Sequence, residues 1–557
     1  MNLTVYEENM PLVLQALEDG DFDYIDSASE YFETEFFRYI RAKAILSDIA
    51  ETYPTPRKKE EVPLGIYIAS DLSMRLHGEN SFNAFPMVVR SGGLVNALGP
   101  KVGQKVKHPD TKDVTLACEG FNGKNVYDRE TPCDSDFLRK MAKDTDAGLL
   151  MQWYNRDVLR RFRKSRVLDN EGIFIGDASY LFVPDNPKYE GSVRLLFDEG
   201  NHPVSSKDIK KMADEKKLRC RWRRCYKMVT LLHTNRKQDY ALFVGVRVVS
   251  GKASECPILY EMVDAFVETM GRGVMKRLIL DRGFLDGKKI ARCKREHKID
   301  VLIPLKRKMD IYSDAKALFA ESDVKWQTWE PPKSEVKLLP RPRPKAVARR
   351  ERKRKKKLEQ LKSEIPPPPP EKTMMKTEVA AIGDFRSWSS CTVPLTVVAN
   401  RDIYADGHVE TWYLLDTRRV RDPGRPREEY RLRTAIEEKY RVLKCFCDLT
   451  GFTSRAFSLV VHQVVFIMLA YSLLQIYLLR EGRKKLTGKT PPSIRKQLLP
   501  SDSYNIVYWK CYYAKFSAYE LIDIVSSVSE EARKKLREKS RRRRQELRES
   551  LKNPRPP

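Results

Sequence analysis

The sequence predicts an α/β protein whose buried strands carry aspartates. Two runs are typical of buried strands, GIFIGDASYLFV at 172–183 and VMKRLILDRGF at 274–284, because both are rich in β-branched and other apolar residues. A third segment, 426–447, has the apolar spacing of an amphipathic helix. Further strand-like runs lie between the first two, at 191–197, 225–234 and 240–250. Strands interleaved with helices in this way predict a sheet covered by helices.

The first strand contains one aspartate, Asp177, in the middle of its apolar run. A charge there is costly unless a partner compensates it, so Asp177 is the first candidate for chemistry. The alternative is Asp185, which precedes Asn186 and Pro187. That turn signature accounts for Asp185 without any function.

The second strand ends at Asp281, and Arg282 and Gly283 form the turn after it. Ligands of open α/β sheets bind beyond the carboxyl ends of strands, which is where this pattern places the carboxylate. Asp286 is the alternative, but it lies past the glycine and is expected to cap the next helix. A helix is predicted before this strand, and a helix followed by a strand is predicted after it.

The helical segment carries a charged stripe with the spacing Y-x2-R-x3-E-x6-K, formed by Tyr430, Arg433, Glu437 and Lys444. At about 100° per residue these four side chains share one narrow face. Glu438 points away from it, so Glu437 is the candidate for chemistry. An adjacent apolar stripe predicts the buried face of the helix and consists of Leu432, Ile436, Tyr440, Leu443 and Cys447. A carboxylate beside these cations and a tyrosine suits a site that binds a metal ion and phosphates together. The alternative is a solvated helix with ion pairs between successive turns.

The four-residue spacing resembles the signature of insertion-sequence transposases of the DDE class, particularly the type-four family. The sequence around Asp281, with Arg, Gly and an aromatic residue after it, resembles the second acidic position of that family. The resemblance implies a ribonuclease-H-like catalytic core, interrupted by a mainly β insertion domain and preceded by a helical N-terminal region.

The resemblance also implies the chemistry. Asp177, Asp281 and Glu437 would be the catalytic and metal-binding triad, holding two Mg²⁺ ions for which Mn²⁺ can substitute. The implied reaction is strand cleavage and strand transfer at transposon ends. DNA contacts are implied for Tyr430, Arg433 and Lys444, with Arg282 assisting. The alternative functions are a nuclease on the same fold and a domesticated, non-catalytic DNA-binding derivative.

The chain divides into five expected segments. Residues 1–165 form a helical region, which either binds DNA ends or only packs, and residues 528–557 form a basic, frayed tail. Between them lie the first part of the core at 166–310, an insertion at 311–425 and a helical second part of the core at 426–527. The insertion includes a basic, proline-rich linker at 333–372 and a hairpin around 405–407.

The positive net charge of the chain predicts a polyanionic partner. Its 557 residues include 104 Lys and Arg against 76 Asp and Glu, a net charge of +28. A membrane surface or ribosomal RNA would also fit this charge. The resemblance selects double-stranded DNA, as transposon ends and target, and implies a homodimer in a synaptic complex.

One apolar run, at 456–479, is long enough to raise the question of a membrane span. Four polar residues interrupt it, and it directly follows the helix of Glu437, so we expect a buried core helix and no membrane partner. The acidic start of the chain does not predict a signal peptide. The expected location is the cytoplasm, in association with the nucleoid.

Overall fold

A computed structural model of the chain describes residues 7–29, 32–58, 62–85, 88, 104–107, 114–117, 133–205, 209–210, 219–321, 324–330, 374–497, 503–510 and 512–552. The chain forms two compact units. The first unit consists of Met1–Phe284, His297–Ile299 and Leu432–Pro557. The second unit consists of Leu285–Glu296 and Asp300–Arg431.

The described strands are, in chain order, β1 (Glu7–Glu8), β2 (Tyr24–Ser29), β3 (Gln104–Lys107), β4 (Val114–Ala117), β5 (Ile173–Val183), β6 (Val193–Phe197), β7 (Arg221–Thr234), β8 (Leu242–Ser250), β9 (Arg277–Leu280), β10 (Asp300–Pro304), β11 (Gln327–Trp329), β12 (Met374–Phe385), β13 (Leu395–Tyr404), β14 (Val409–Asp416), β15 (Ser503–Trp509) and β16 (Tyr512–Ser517).

The described α-helices are α1 (Met10–Glu18), α2 (Phe32–Ala42), α3 (Ile45–Glu51), α4 (Leu64–His77), α5 (Ser135–Asp144), α6 (Ala147–Trp153), α7 (Leu159–Lys164), α8 (Glu255–Met270), α9 (Gly287–Arg295), α10 (Asp310–Glu321), α11 (Gly424–Arg431), α12 (Arg433–Phe446), α13 (Phe457–Arg480), α14 (Pro491–Gln497), α15 (Ala518–Ser527) and α16 (Glu530–Lys552). The α/β class predicted from the sequence is therefore confirmed.

The sheet of the first unit is built around β5 and β7. β5 pairs in parallel with β9 and antiparallel with β7, while β6 and β8 both pair antiparallel with β7. The strand-like runs of the sequence correspond to these strands, and α8 precedes β9 as predicted. Two neighbouring parallel strands, β5 and β9, thus bring the carboxyl end of β9 beside the middle of β5.

Gly176 sets how closely β5 approaches its neighbours. A Cβ atom at this position would lie 2.7 Å from Cδ2 of Leu280 and 2.8 Å from both Cδ atoms of Leu259. Leu280 is the last residue of β9, and Leu259 belongs to α8. Only a residue without a side chain permits this packing immediately before Asp177.

Two helices that follow each other in the chain complete the core of the first unit. α12 packs against β5 through its apolar stripe, and all five residues of that predicted stripe are buried. α13 packs against α4, α5, α6 and β8. By length and composition α13 is the one helix in the described part of the chain that could cross a membrane, yet 89% of its most apolar window is buried inside the protein. The prediction of a buried core helix is confirmed.

The two ends of the described chain form one small sheet, in the order β1-β16-β15-β2. α1, α15 and α16 pack on this sheet around Leu17, Val507 and Phe516. This differs from the expected helical segments at 1–165 and 426–527, each of which contributes strands here. The expected basic tail forms the helix α16 over Glu530–Lys552, and its Ala532 and Leu536 join the core. Aromatic and β-branched residues make up most of the strand at 503–509, and this composition favours extended chain over helix.

The second unit contains an antiparallel sheet in which β12, β13 and β14 follow each other. The hairpin predicted around 405–407 is confirmed: β13 and β14 flank it, and Gly407 adopts a φ of +77°. β14 also pairs with β10, so the sheet includes a strand that lies before the expected boundary at 311. The linker predicted at 333–372 lies outside the described residues.

We expect Gly176→Ala to lower the free energy of unfolding by about 1–3 kcal/mol, because the added methyl group must displace side chains of β9 and α8. Urea unfolding followed by tryptophan fluorescence measures this change. The control is Gly65→Ala in α4, where a Cβ atom would meet Leu46 at an ordinary 3.7 Å. Equal stability of both variants would contradict the close packing at Gly176.

Candidate functional site

Two of the predicted acidic residues directly follow a paired position of the neighbouring parallel strands β5 and β9. The register pairs Gly176 of β5 with Leu280, the last residue of β9, so Asp177 and Asp281 are the next residues along the chain after this pair. Neighbouring strands are about 4.8 Å apart, which brings the backbones of these two positions close together. Asp281 follows the end of β9 and begins a turn, since its carbonyl accepts from the Phe284 amide at 3.0 Å.

The other two acidic residues lie close enough to Asp177 for their charges to affect the pKa of its carboxyl group. Burial, and to a smaller extent the charges of Asp281 and Glu437, raise the pKa of its carboxyl group to about 7. A backbone hydrogen bond from Ala178 and the charge of Arg433 act in the opposite direction on this pKa. Asp177 is thus a partly buried acid held near two other carboxylates, with one cation among them.

Glu437 lies on α12 and is paired with the arginine one turn before it. The guanidinium of Arg433 contacts Oε1 of Glu437 at 2.7 Å, and the Glu437 side chain is 50% exposed. Arg433 therefore touches one carboxylate and acts electrostatically on Asp177. In this arrangement the arginine supplies part of the positive charge that the acidic group requires.

Tyr440 connects α12 by hydrogen bonds to β5, the strand that carries Asp177, and to its neighbour β7. Its ring is buried, and its hydroxyl donates to the backbone carbonyl of Asp177 at 3.2 Å. The same hydroxyl shares a hydrogen bond of 2.6 Å with Thr230 of β7. Burial and the charge of Asp177 hold the pKa of Tyr440 well above its ordinary value, so the hydroxyl stays protonated. Sequence reasoning assigned Tyr440 to the apolar stripe and missed this role; a tyrosine on an otherwise apolar stripe was the available signal.

Lys444 also forms hydrogen bonds with β5. Its ammonium group donates to Oγ of Ser179 at 2.8 Å and to the backbone carbonyl of Tyr180 at 3.2 Å. Burial lowers the pKa of Lys444, and the nearby Arg223 lowers it further, while Asp177 raises it. Lys444 thus stands two to three residues beyond Asp177 along β5, as a second cation beside the acidic group.

Tyr430 does not share a helix with the other three residues of the charged stripe. α11 ends at Arg431 and α12 begins at Arg433, with Leu432 between them. The single continuous helix expected from the sequence is therefore two helices. Tyr430 belongs to the second unit, where its ring lies 6.0 Å from that of Trp412.

The competing aspartates have structural roles. Asp185 forms ion pairs with Arg194 at 2.9 Å and Arg224 at 3.5 Å. Asp286 is the N-cap of α9 and accepts from the Lys289 amide at 3.1 Å, which confirms the predicted cap. Arg282, in the turn after Asp281, is exposed.

No group of three or more His, Cys, Asp or Glu side chains converges on a metal-binding geometry among the residues that the structure describes. The donor chemistry nevertheless fits a hard cation. Asp177 is a partly buried oxygen donor with a raised pKa near Asp281 and Glu437, and a divalent cation would relieve the repulsion among these carboxylates. Glu437 would have to exchange its contact with Arg433 for such a cation.

Comparison with known proteins points to one family. The model of the transposase DDE domain matches residues 171–473, which is more than half of the chain. The match begins just before β5 and ends within α13, so it includes every candidate acidic residue. A search of curated proteins returned no match.

We expect Asp177→Asn to raise the thermal midpoint of the protein at pH 8 in the presence of a metal chelator. The pKa of Asp177 lies above its ordinary value, so the folded protein binds this proton more tightly than the unfolded chain. The stabilisation by this group is present below about pH 4 and is lost as the pH rises through about 7. The uncharged amide should remove this part of the pH dependence.

Thermal unfolding of wild type and variant between pH 4 and pH 8 measures the effect. The control is Asp185→Asn, because Asp185 lies in exposed ion pairs. If Asp177→Asn kept the wild-type pH dependence, the raised pKa of Asp177 would be refuted.

Proposed function

The chain belongs to the transposase DDE domain family, and on that premise we propose that it cleaves DNA strands at transposon ends and transfers them to target DNA. The observation that carries the proposal is that the charges of Asp281 and Glu437 both raise the pKa of Asp177. These three carboxylates come from two strands and a helix that are far apart in sequence. Bringing them together in a partly buried place is costly unless a cation compensates them.

The fold that we propose for the catalytic core is ribonuclease-H-like. In its support, β5, β7 and β8 are consecutive antiparallel neighbours, and β9 lies parallel to β5 on the other side. The acidic residues lie on the two adjacent parallel strands and on a later helix that packs on β5. The antiparallel sheet of the second unit corresponds to the mainly β insertion in this proposal.

We assign Asp177, Asp281 and Glu437 as the residues that hold two Mg²⁺ ions, for which Mn²⁺ can substitute. Bound there, the metal supplies an activated water or 3′-hydroxyl and stabilises the leaving oxygen of the phosphodiester. The protein itself supplies no nucleophile. Its own residues act by holding oxygen donors in place, by neutralising charge and by orienting DNA.

Arg433 has two partners in this proposal. In the protein without DNA its guanidinium neutralises Glu437. When a DNA phosphate approaches, the same guanidinium can donate to the phosphate oxygens, which leaves the Glu437 carboxylate available to a cation. Binding of DNA and binding of metal would then favour each other.

Lys444, Tyr430 and Arg282 complete the proposed contacts to DNA. Lys444 is held beside Asp177 by its hydrogen bonds to β5, and this position supports a contact between its positive charge and the scissile phosphate. Arg282 is exposed directly after Asp281. Contacts of this kind position the phosphate backbone and carry no sequence information.

The proposed partners are double-stranded transposon ends and target DNA. The net charge of +28 supports a long polyanion as partner. Because a transposon has two ends, we propose that two copies of the chain act together in a synaptic complex. A DNA substrate of this kind places the protein at the nucleoid in the cytoplasm.

We expect Glu437→Gln to abolish strand cleavage while the affinity for DNA stays nearly unchanged. The amide removes a metal ligand but little of the surface that contacts phosphates. Cleavage of a labelled transposon-end duplex and a gel shift on the same DNA measure the two properties. The matched control is Glu438→Gln, since the neighbouring glutamate is also exposed but lies off the charged stripe. Wild-type cleavage by Glu437→Gln would remove Glu437 from the active site.

Arg433→Ala should weaken DNA binding and make its salt dependence shallower. Loss of one phosphate contact changes the slope of log affinity against log salt by about 0.9. Titrations across a salt series measure this slope, and Lys444→Ala should lower it similarly. The control is Arg272→Ala, because Arg272 is exposed before the amino end of β9, away from Asp281. Slopes equal to wild type in both stripe variants would leave these cations a purely structural role.

A further inference from the structure

An exposed tryptophan surrounded by arginines lies at the amino-terminal end of β7. The segment from Arg219 to Lys227 reads RCRWRRCYK and contains four arginines and one lysine in nine residues. Its tryptophan, Trp222, is 56% exposed. An exposed indole does not contribute the stabilisation that its burial would give. Its exposure therefore suggests that this ring contacts a binding partner.

The side chains around Trp222 are connected by a cation–π contact and two ion pairs. The guanidinium of Arg194 on β6 lies over the indole ring, 5.5 Å from the ring centroid. Asp185 contacts both Arg194 and Arg224, at 2.9 Å and 3.5 Å. We call this group of four residues, Asp185, Arg194, Trp222 and Arg224, the Trp222 surface. It presents a flat ring and cationic groups side by side.

Trp222 lies on β7, the neighbour of the strand that carries Asp177, and on the same face of the sheet as Asp177. Trp222 precedes Thr230 by eight residues, and Thr230 pairs with Asp177. Residues an even number apart on a strand point to one face. At about 3.3 Å per residue the separation is about 26 Å, or roughly eight base pairs of duplex at about 3.4 Å each. Between the two, Tyr226 and Met228 are buried, so the exposed face resumes only near Trp222.

We propose that the Trp222 surface binds an unpaired DNA base, with the indole of Trp222 stacked on the base and Arg194 contacting an adjacent phosphate. This inference rests on the proposed function, because it takes DNA as the partner of the acidic site. Bases inside a duplex have both faces covered by their neighbours, so an exposed indole can stack only on a terminal, flipped or single-stranded base. The surrounding arginines favour a nucleic acid over an apolar protein surface.

The geometry also indicates where this base lies. A duplex that offers a phosphate to the acidic site would reach the Trp222 surface about eight base pairs away. There the unpaired base would belong to a melted or single-stranded stretch beside the duplex. Stacking of this kind tolerates any base, so the contact would hold the strand without reading its sequence.

The test compares two DNAs that share one duplex, one of them blunt and the other with a single-stranded extension of about four nucleotides. Wild type should bind the extended DNA more tightly. Trp222→Ala should lower the affinity for the extended DNA by between about fivefold and about 150-fold, the equivalent of about 1–3 kcal/mol of base stacking. Its affinity for the blunt duplex should change less than about twofold. Trp222→Phe, which keeps an aromatic ring, should retain most of the preference.

Arg194→Ala supplies a second measurement. Removal of one contact to a single strand should lower the salt slope on the extended DNA by about 0.7. The exposed position of Trp222 makes a folding defect unexpected, and circular dichroism with a thermal melt checks this for each variant.

Equal losses on both DNAs, or no loss on either, would overturn the stacking proposal. So would a variant that binds both DNAs as wild type does but loses self-association, because the surface would then contact protein. The outcome is separable from the proposed function, since Glu437→Gln tests cleavage independently of Trp222. Wild type that bound neither DNA would remove both proposals, whereas normal binding with an unchanged Trp222→Ala would remove only this one.

Discussion

The central constraint on this protein is the cost of holding Asp177 in a partly buried place beside Asp281 and Glu437. Burial and these two neighbours raise the pKa of Asp177 to about 7, so the site stores electrostatic repulsion in the absence of a divalent cation. The surrounding structure offsets part of that cost. Arg433 pairs with Glu437, and Lys444 is held next to Asp177 by hydrogen bonds to β5. In the function that we propose, this arrangement of carboxylates and cations binds metal ions and phosphates together.

The helix α12 links this electrostatic arrangement to the packing of the core. Its apolar stripe packs against β5, while its charged stripe supplies Arg433, Glu437 and Lys444. Tyr440 connects the two functions, because its ring is buried in the core and its hydroxyl bonds to the backbone of Asp177. A shift of α12 would therefore disturb the core packing and the acidic group at once. On the other side of Asp177, Gly176 keeps β5, β9 and α8 in close contact.

Prediction from the sequence succeeded where local pattern and local chemistry agree. The strand before Asp281, the cap formed by Asp286, the hairpin at Gly407 and the buried face of α12 all follow from periodicity or turn chemistry within a few residues. Prediction failed where distant parts of the chain pair. The strands at 24–29 and 503–509 pair in one sheet although most of the chain separates them in sequence. No local pattern in the sequence indicates that these two strands pair.

The sequence by itself determined which residues are available for chemistry: two aspartates on apolar strands, one glutamate on an amphipathic helix, and the cations spaced around it. Those properties depend on residue type and periodicity, which a linear chain already contains. Only the tertiary structure decided that Lys444 bonds to Ser179 of β5, that Tyr440 bonds to the backbone of Asp177, and that Trp222 stays exposed on β7. These contacts join residues through space, and their energies depend on burial and distance, which exist only after the strands and helices have packed.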